Sequence, residues 1–262
     1  MSPETEPVVV IGGGVGPMAG VALHALVISN TLTDGTDQSH LTVHHYSCSS
    51  SIPDRTEYLL AHERDDPAPA MASVFELAAR ALDGRPAVGG VPCNTFHAPL
   101  IFDRFLSLLS DRRIDIRIVN MLEESMETLR QRLPGQSGAR VGVLCTTGTR
   151  RSGVYDQLLT ARGYQAIYVP ESKQELLHAS IYDRHWGIKA TPKPSDRAVQ
   201  TVASMADDLI GQGAAAIILA CTELPLALDG RVYRSIPLID PMVSLARALI
   251  RESAPDKLAP LD

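Results

Sequence analysis

Short apolar runs, rich in β-branched residues, alternate along this chain with longer stretches that have helical periodicity. That alternation is typical of a parallel sheet covered by helices, because parallel strands are buried on both faces. The runs predicted to be strands lie at residues 8–13, 41–47, 86–93, 114–120, 139–146, 164–170, 214–221 and 235–240. We therefore predict an α/β fold.

The two halves of the chain repeat one local pattern. Each half opens on a strand that runs into a turn of small residues, VVVIGGGVGP in the first half and VGVLCTTGTR in the second. Each half later ends a strand on a cysteine followed by polar residues, VPCNT with Cys93 and LACTE with Cys221. The repeat predicts two pseudo-symmetric lobes, each a mainly parallel sheet flanked by helices. The predicted N-terminal lobe comprises residues 1–118 plus 230–262, and the C-terminal lobe residues 119–229.

Charge and apolar patterning narrow the possible partners. The formal net charge is −6 and basic residues form no long run, which argues against nucleic acid. The longest wholly apolar run, residues 214–221, is too short for a membrane span of about 20 residues. The first residues carry two glutamates and no basic residue before a short apolar run, unlike a secretory signal. We predict a cytoplasmic protein with free thiols.

Cys93 and Cys221 are the candidate catalytic groups. Ligands of parallel α/β sheets bind beyond the carboxyl ends of the strands, where both thiols are expected to face one another across the cleft between the lobes. Asn94, Thr95 and Thr222 would supply hydrogen-bond donors, and such donors are expected to lower a thiol pKa from its usual value of about 8.5. Two thiols on opposite sides of one carbon suit a reaction that removes a proton from one face and returns one to the other.

This chemistry requires neither a metal nor a cofactor. Gly14, Gly16 and Ala19 fit a dinucleotide-binding pattern, but the second predicted strand does not end in the acidic residue that such sites use. Gly14 is instead expected to let the backbone approach a small substrate. His44 and His45 point to opposite faces of a strand, so the nearby histidines do not predict a metal site.

Seven segments together resemble the aspartate/glutamate racemase family, in particular its aspartate racemase branch. They are GGVGP (13–17), SIPDRT (51–56), PCNTFH (92–97), TTGTRRSGVY (146–155), GIKA (187–190), ACTELPL (220–226) and DP (240–241). Their order and spacing match over nearly the whole chain. The resemblance implies a cofactor-independent amino-acid racemase of two similar α/β lobes, with the active site between them, that forms a homodimer.

The same resemblance assigns roles to individual residues. It implies that Cys93 and Cys221 are the paired proton donor and acceptor. It further implies that Arg55 and Lys189 bind the side-chain carboxylate of an acidic amino acid. The groups implied to hold the α-carboxylate and amino group belong to Asn94, Thr95, Thr147 and Thr222.

Three neighbouring residues are predicted to support this site without binding the substrate. His97 could tune the Cys93 thiolate, although a packing or capping role is equally compatible with its spacing. Glu223 and Asp54 could orient a thiol or Arg55, with a plain structural ion pair as the alternative.

Three positions depart from the family pattern, and two other functions remain open. Val15, Phe96 and Ala220 differ from the residues usual at these places, and Phe96 is expected to reshape the substrate pocket. One alternative function is a single-thiol decarboxylase or isomerase of a small diacid. The other is a two-lobed protein that binds its ligand without turnover.

Overall fold

The computed structural model describes residues 6–61, 65–190 and 193–261. Two compact units divide the chain, one formed by Met1–Glu124 with Met242–Asp262 and the other by Ser125–Pro241. The predicted N-terminal lobe takes in residues 230–241, which lie in the second unit instead, and leaves out residues 119–124, which lie in the first. The reason is that a strand at Ile236–Ile239 pairs with a strand at Ala216–Ala220.

The first unit contains a four-stranded parallel sheet. Its strands are β1 (Val8–Gly13), β2 (Val43–Ser47), β3 (Ala87–Gly90) and β4 (Arg117–Ile118). They are arranged in the order β2-β1-β3-β4. All of β1 is buried, as expected for a strand that has helices on both faces.

Helices cover both faces of this sheet. They are α1 (Pro17–Ser29), α2 (Arg55–Ala61), α3 (Pro67–Leu82), α4 (Pro99–Asp111) and α10 (Pro241–Ser253), while α5 (Met121–Arg132) contains the boundary to the second unit. Val8 and Val10 pack into a core with α3 and α4, whereas Val9 and Ile11 pack into a core with α1 and α10. Because successive side chains of a strand point to opposite faces of the sheet, β1 contributes residues to two separate cores.

The second unit contains a five-stranded sheet. Its strands are β5 (Arg140–Cys145), β6 (Gln165–Ile167), β7 (Ala216–Ala220), β8 (Val232–Tyr233) and β9 (Ile236–Ile239), in the order β6-β5-β7-β9-β8. Only the pairing of β8 with β9 is antiparallel among the pairs described. The helices of this unit are α6 (Thr147–Ser152), α7 (Val154–Ala161), α8 (Glu171–Tyr182) and α9 (Asp196–Gly211).

The α9 helix shows how the sequence specifies its own packing. Ser195 caps its N-terminus, since the hydroxyl oxygen accepts a hydrogen bond from the Ala198 N–H at 3.2 Å. Val202 and Leu209 lie on one face, and both are buried in the core against β5 and β7. Among the described residues, none of the helices is both long and apolar enough to cross a bilayer.

The predicted α/β fold with two mainly parallel sheets is confirmed. Every predicted strand region contains an observed strand, and β8, which has only two residues, is the addition. Counted within its own unit, each sheet places its first strand between the second and the third. Cys93 follows β3 and Cys221 follows β7, so each thiol comes after the third strand of its unit.

Candidate active site

Gly14 lies at the carboxyl edge of the first sheet, directly after β1. Its φ angle is 93°, a conformation that favours glycine. A Cβ atom at this position would lie 2.7 Å from the backbone nitrogens of both Cys48 and Ser49. A glycine is therefore needed here for the turn after β1 to pack against the chain that leaves β2.

Cys93 begins a tight, buried turn at the same edge of the sheet. Its own N–H donates to the Val91 carbonyl at 2.9 Å, and its carbonyl accepts from the Phe96 N–H at 3.2 Å. The residue is 8% exposed, and Asn94 and Thr95 beside it are also buried. The Cys93 residue as a whole is therefore largely removed from solvent.

His97 supports the backbone of this turn. Its Nε2 accepts a hydrogen bond from the Met121 N–H at 3.4 Å, so the ring proton is on Nδ1, which donates to the Cys93 carbonyl at 2.9 Å. Burial lowers the His97 pKa to about 4, and the ring stacks on Phe102 with centroids 4.6 Å apart. The neutral His97 ring thus fixes the position of the Cys93 carbonyl by donating a hydrogen bond to its oxygen.

Arg55 and Asp54 stand at the start of α2. The Asp54 carboxylate accepts from the Glu57 N–H at 2.8 Å, so it caps this helix. Arg55 is half-buried, and one guanidinium nitrogen donates to the Pro53 carbonyl at 3.1 Å. Because α2 packs against the turn Thr95–His97, Arg55 belongs to the same part of the first unit as Cys93.

The departures from the family pattern lie inside the cores. Phe96 is fully buried and packs edge-to-face on Phe105, with ring centroids 5.4 Å apart. Its aromatic ring therefore fills part of the core of the first unit, and its effect on the substrate pocket stays a prediction. Val15 and Ala220 are also buried.

The Cys221 thiol in the second unit lies beside a pair of opposite charges, Glu223 and Lys189. It donates to Glu223 Oε2 at 3.1 Å, and the Thr222 hydroxyl donates to the same oxygen at 3.0 Å. The other carboxylate oxygen of Glu223 forms an ion pair with the Lys189 ammonium, whose side chain is 25% exposed. Glu223 thus has both roles that the sequence left open, since it contacts a thiol and forms an ion pair.

Burial and these contacts shift the pKa values of Cys221, Glu223 and Lys189. Burial raises the pKa of Cys221 well above its ordinary value, and the Glu223 carboxylate raises it further. Burial also acts to raise the Glu223 pKa, but Lys189 and the hydrogen bonds hold this pKa below its ordinary value. Burial acts to lower the Lys189 pKa, but Glu223, Cys221 and Tyr182 together raise it above its ordinary value. The expectation that neighbouring donors lower the thiol pKa is therefore wrong for Cys221.

Two residues that the sequence did not single out connect Thr147 with Lys189. The Thr147 N–H donates to His178 Nδ1 at 3.3 Å, and the His178 ring stacks on Tyr182 with centroids 4.8 Å apart. The Lys189 ammonium lies 5.2 Å from the centre of the Tyr182 ring, within reach of a cation–π attraction. His178 and Tyr182 are one helical turn apart on α8, and that spacing was the available signal.

All four cysteines are free thiols, and they differ in their surroundings. Cys145 is fully buried at the end of β5, and burial raises its pKa to about 12. Among the described residues, no group of three or more His, Cys, Asp and Glu side chains is arranged to hold a metal ion.

The sequence over residues 13–249 matches the family described as Asp/Glu/hydantoin racemase. The chain belongs to this racemase family. A structural relative is the aspartate racemase of Picrophilus torridus, which is 27% identical, with a TM-score of 0.76 over 94% of each chain. A putative Asp/Glu racemase from Yersinia pestis shares the fold, with 19% identity and a TM-score of 0.67 over 95% of this chain and 99% of that one.

Curated members of the racemase family are matched over part of their length. The glutamate racemase of Carboxydothermus hydrogenoformans is 27% identical over 141 residues. That alignment takes in 53% of this chain and 49% of the relative, so the chain spans about half the length of that protein.

Proposed function

We propose that this protein is a cofactor-independent racemase of aspartate, glutamate or a close acidic amino acid. Cys93 and Cys221 are its two proton carriers. The observation that carries the proposal is the equivalent placement of two thiols in a chain of the racemase family. Each follows the third strand of its own unit and is followed by polar residues. Its free thiols suit a reducing compartment, and we propose that it acts in the cytoplasm.

The reaction transfers two protons and leaves the net charge of the site unchanged. The Cys93 thiolate takes the α-proton, so an S–H bond forms while the electron pair of the C–H bond stays on the α-carbon. The Cys221 thiol then gives its proton to the opposite face of that carbon and becomes the thiolate. The proposal requires that the two sulfur atoms reach opposite faces of one α-carbon.

The Glu223 carboxylate supports this division of roles. A thiol that donates to a carboxylate must carry its proton, so Cys221 is the acid and Cys93 the base in the first turnover. When Cys221 loses its proton, the charge of the new thiolate is opposed by Glu223 and partly offset by Lys189. The unfavourable thiolate would favour the return of a proton in the reverse direction.

The substrate carboxylates need cationic and neutral donors. Arg55 offers a planar fork that suits a bidentate carboxylate, and we assign it to the side-chain carboxylate together with Lys189. An ammonium has three N–H donors, so Lys189 can bind Glu223 and a substrate oxygen at once. The groups assigned to the α-carboxylate and amino group are those of Asn94, Thr95, Thr147 and Thr222, with the backbone at Gly14.

The test is an isotope experiment without added cofactor. The protein is incubated in D₂O with the L- and D-enantiomers of aspartate and of glutamate. The enantiomers are then separated by chiral chromatography, and the deuterium content of each is measured by mass spectrometry. A two-thiol racemase places deuterium in the product enantiomer, while the recovered substrate at low conversion keeps its α-proton. Loss of a carboxylate would indicate a decarboxylase, and binding without label would indicate a protein that only binds its ligand.

Single-thiol variants test the assignment of the two carriers. Cys93→Ala and Cys221→Ala are each expected to lower racemisation by about 10²–10⁴-fold, because each removes one proton-transfer group. Cys48→Ala is the matched control, since this half-buried thiol also follows a strand of the first sheet. Near wild-type racemisation by either of the first two variants would refute the two-base assignment.

A further inference from the structure

One side of the α8 helix carries three side chains that contact other parts of the second unit. They are Gln174, His178 and Tyr182, spaced four residues apart, and we name them the α8 row. Residues at this spacing lie one above another on a helix. Gln174 is buried, and the other two are half-buried. The row therefore faces the protein and is placed to hold neighbouring segments.

Two members of the α8 row hold the turn from β5 to α6. The Gln174 side-chain amide donates to the Cys145 carbonyl at 3.0 Å, and its own oxygen accepts from Arg150 at 2.9 Å. The Thr147 N–H donates to His178 Nδ1 at 3.3 Å. One contact engages a carbonyl of the turn and the other an N–H. Both peptide groups are therefore held in fixed orientations.

The His178 ring is itself fixed in place. It stacks on the Tyr182 ring, with centroids 4.8 Å apart and 15° between the planes. The Lys189 ammonium lies 5.2 Å from the centre of the same Tyr182 ring, where a cation is attracted to it. A ring nitrogen that accepts an N–H carries no proton, so the neutral His178 has its proton on Nε2. The plane and the tautomer of the imidazole are thus both set.

This contact decides which group of Thr147 is left for a ligand. Thr147 has two hydrogen-bond donors, its backbone N–H and its hydroxyl. The N–H is engaged by His178. Thr147 is also the one partly exposed residue between Cys145 and Thr149, all the others being buried. The hydroxyl of a half-exposed threonine is therefore the donor that remains.

We propose that His178 is a positioning residue that engages the Thr147 N–H and leaves the Thr147 hydroxyl as the donor to the substrate α-carboxylate. The inference rests on the proposed function, which assigns Thr147 to the α-carboxylate and amino group. Backbone N–H groups at the start of a helix commonly bind anions, so an occupied N–H changes the mode of binding at this residue. A side-chain hydroxyl takes over the role that such an N–H would have.

The first test needs no turnover, because it follows exchange of the Thr147 N–H with deuterium by NMR. His178→Leu should speed this exchange at least about tenfold, since leucine accepts no hydrogen bond. His178→Asn should stay near the wild type, because its Oδ1 can take the place of Nδ1. His185→Leu, at an exposed histidine, is the matched control and should also stay near the wild type. Slow exchange at Val143, within β5, verifies folding. Unchanged exchange in His178→Leu would overturn the proposal.

The second test separates KM from kcat in the chiral assay with L-aspartate. Thr147→Val removes the hydroxyl but keeps the N–H. It should raise KM by about ten- to hundredfold with little change in kcat, because the α-carboxylate is bound equally in the ground and transition states. Thr147→Ser keeps a hydroxyl and should stay close to the wild type. A wild-type KM in Thr147→Val would show that the hydroxyl is not the donor, and would overturn the proposal.

A double variant shows whether His178 acts through Thr147. His178→Leu alone should raise KM by a smaller factor than Thr147→Val. Both changes together should give the KM of Thr147→Val alone, because a positioning residue has no effect once the group it positions is gone. KM effects that multiply would mean that His178 acts independently, and would contradict the proposal. A wild type without racemisation would instead overturn the proposed function, while the exchange rate of the Thr147 N–H still decides whether His178 holds it.

Discussion

The Cys221 thiol donates a hydrogen bond to the Glu223 carboxylate at 3.1 Å, so a buried sulfur is held in its protonated form by an acid two residues along the chain. Burial and this carboxylate together raise the pKa of the thiol. Lys189, on the far side of Glu223, acts in the opposite sense. The protonation of Cys221 therefore depends on the balance of a neighbouring pair of opposite charges.

We expect Glu223→Gln to lower the pKa of Cys221. The amide keeps the shape of the side chain but removes the negative charge that opposes the thiolate, and it leaves the Lys189 ammonium, which favours the thiolate. Each pKa unit changes the thiolate population about tenfold at a pH below the pKa. The measurement is the rate of iodoacetamide alkylation against pH, read from the mass of the peptide that contains Cys221.

Lys189→Gln is the matched variant of opposite charge. It removes the cation, so the Cys221 pKa should rise above that of the wild type. The fully buried Cys145 serves as an internal reference that should stay unreactive in both proteins. Shifts of the same sign in both variants would indicate a packing effect and would contradict the electrostatic account.

We expect a buried, neutral His97 to make stability depend on pH. Its folded-state pKa is about 4, below the ordinary value of 6.5, so the unfolded chain binds more protons between these values. The contribution is fully present above pH 6.5 and is lost as pH falls towards 4. The full loss is about 3 kcal/mol. The measurement is the free energy of unfolding in urea, determined at several pH values between 7 and 4.

His97→Asn isolates this contribution, because an amide can still donate to the Cys93 carbonyl but does not titrate. The free energy of unfolding of the variant should fall less steeply with acid than that of the wild type. His185→Asn, at an exposed histidine, should keep the wild-type slope. Equal slopes in the wild type and His97→Asn would show that His97 is not the proton-binding group.

The fold could be predicted from the sequence because its signals are local. Runs such as Val8–Gly13 are buried on both faces, and their β-branched composition is sufficient to identify a parallel strand. The repeat that ends on Cys93 and Cys221 placed both thiols after equivalent strands. The two-residue β8 lacks such a signal, and its pairing with β9 depends on a tight turn at Arg234 and Ser235, where φ is positive.

The electrostatics of the site could not be predicted in the same way. The sign of the Cys221 pKa shift depends on how deeply the thiol is buried and on which charge is nearer, and neither is encoded by spacing. Lys189 and Glu223 are far apart in sequence, so their ion pair is a product of tertiary structure. The hydrogen bond from the Thr147 N–H to His178 could not be predicted from the sequence for the same reason.

We expect Arg55 to distinguish acids from their amides. Arg55→Ala should lower kcat/KM for aspartate by about ten- to hundredfold, since a hydrogen bond to a charged group contributes about 1.5–3 kcal/mol. The loss for asparagine should be much smaller. Arg55→Lys should fall between the two, because it keeps the charge but not the planar fork. An equal loss for aspartate and asparagine would remove Arg55 from the recognition of the side-chain carboxylate.

We expect Gly14→Ala to destabilise the first unit more than Gly35→Ala does. Both glycines have similar positive φ angles, 93° and 89°, so alanine meets a similar backbone strain of about 1–3 kcal/mol at either position. At Gly35 a Cβ would meet nothing within 4 Å, whereas at Gly14 it would meet the backbone of Cys48 and Ser49. The difference between the two free energies of unfolding, measured in urea, therefore isolates the close approach of the two turns. Equal losses would mean that the chain after β2 moves aside freely, and that the carboxyl edge of the first sheet is not held by this contact.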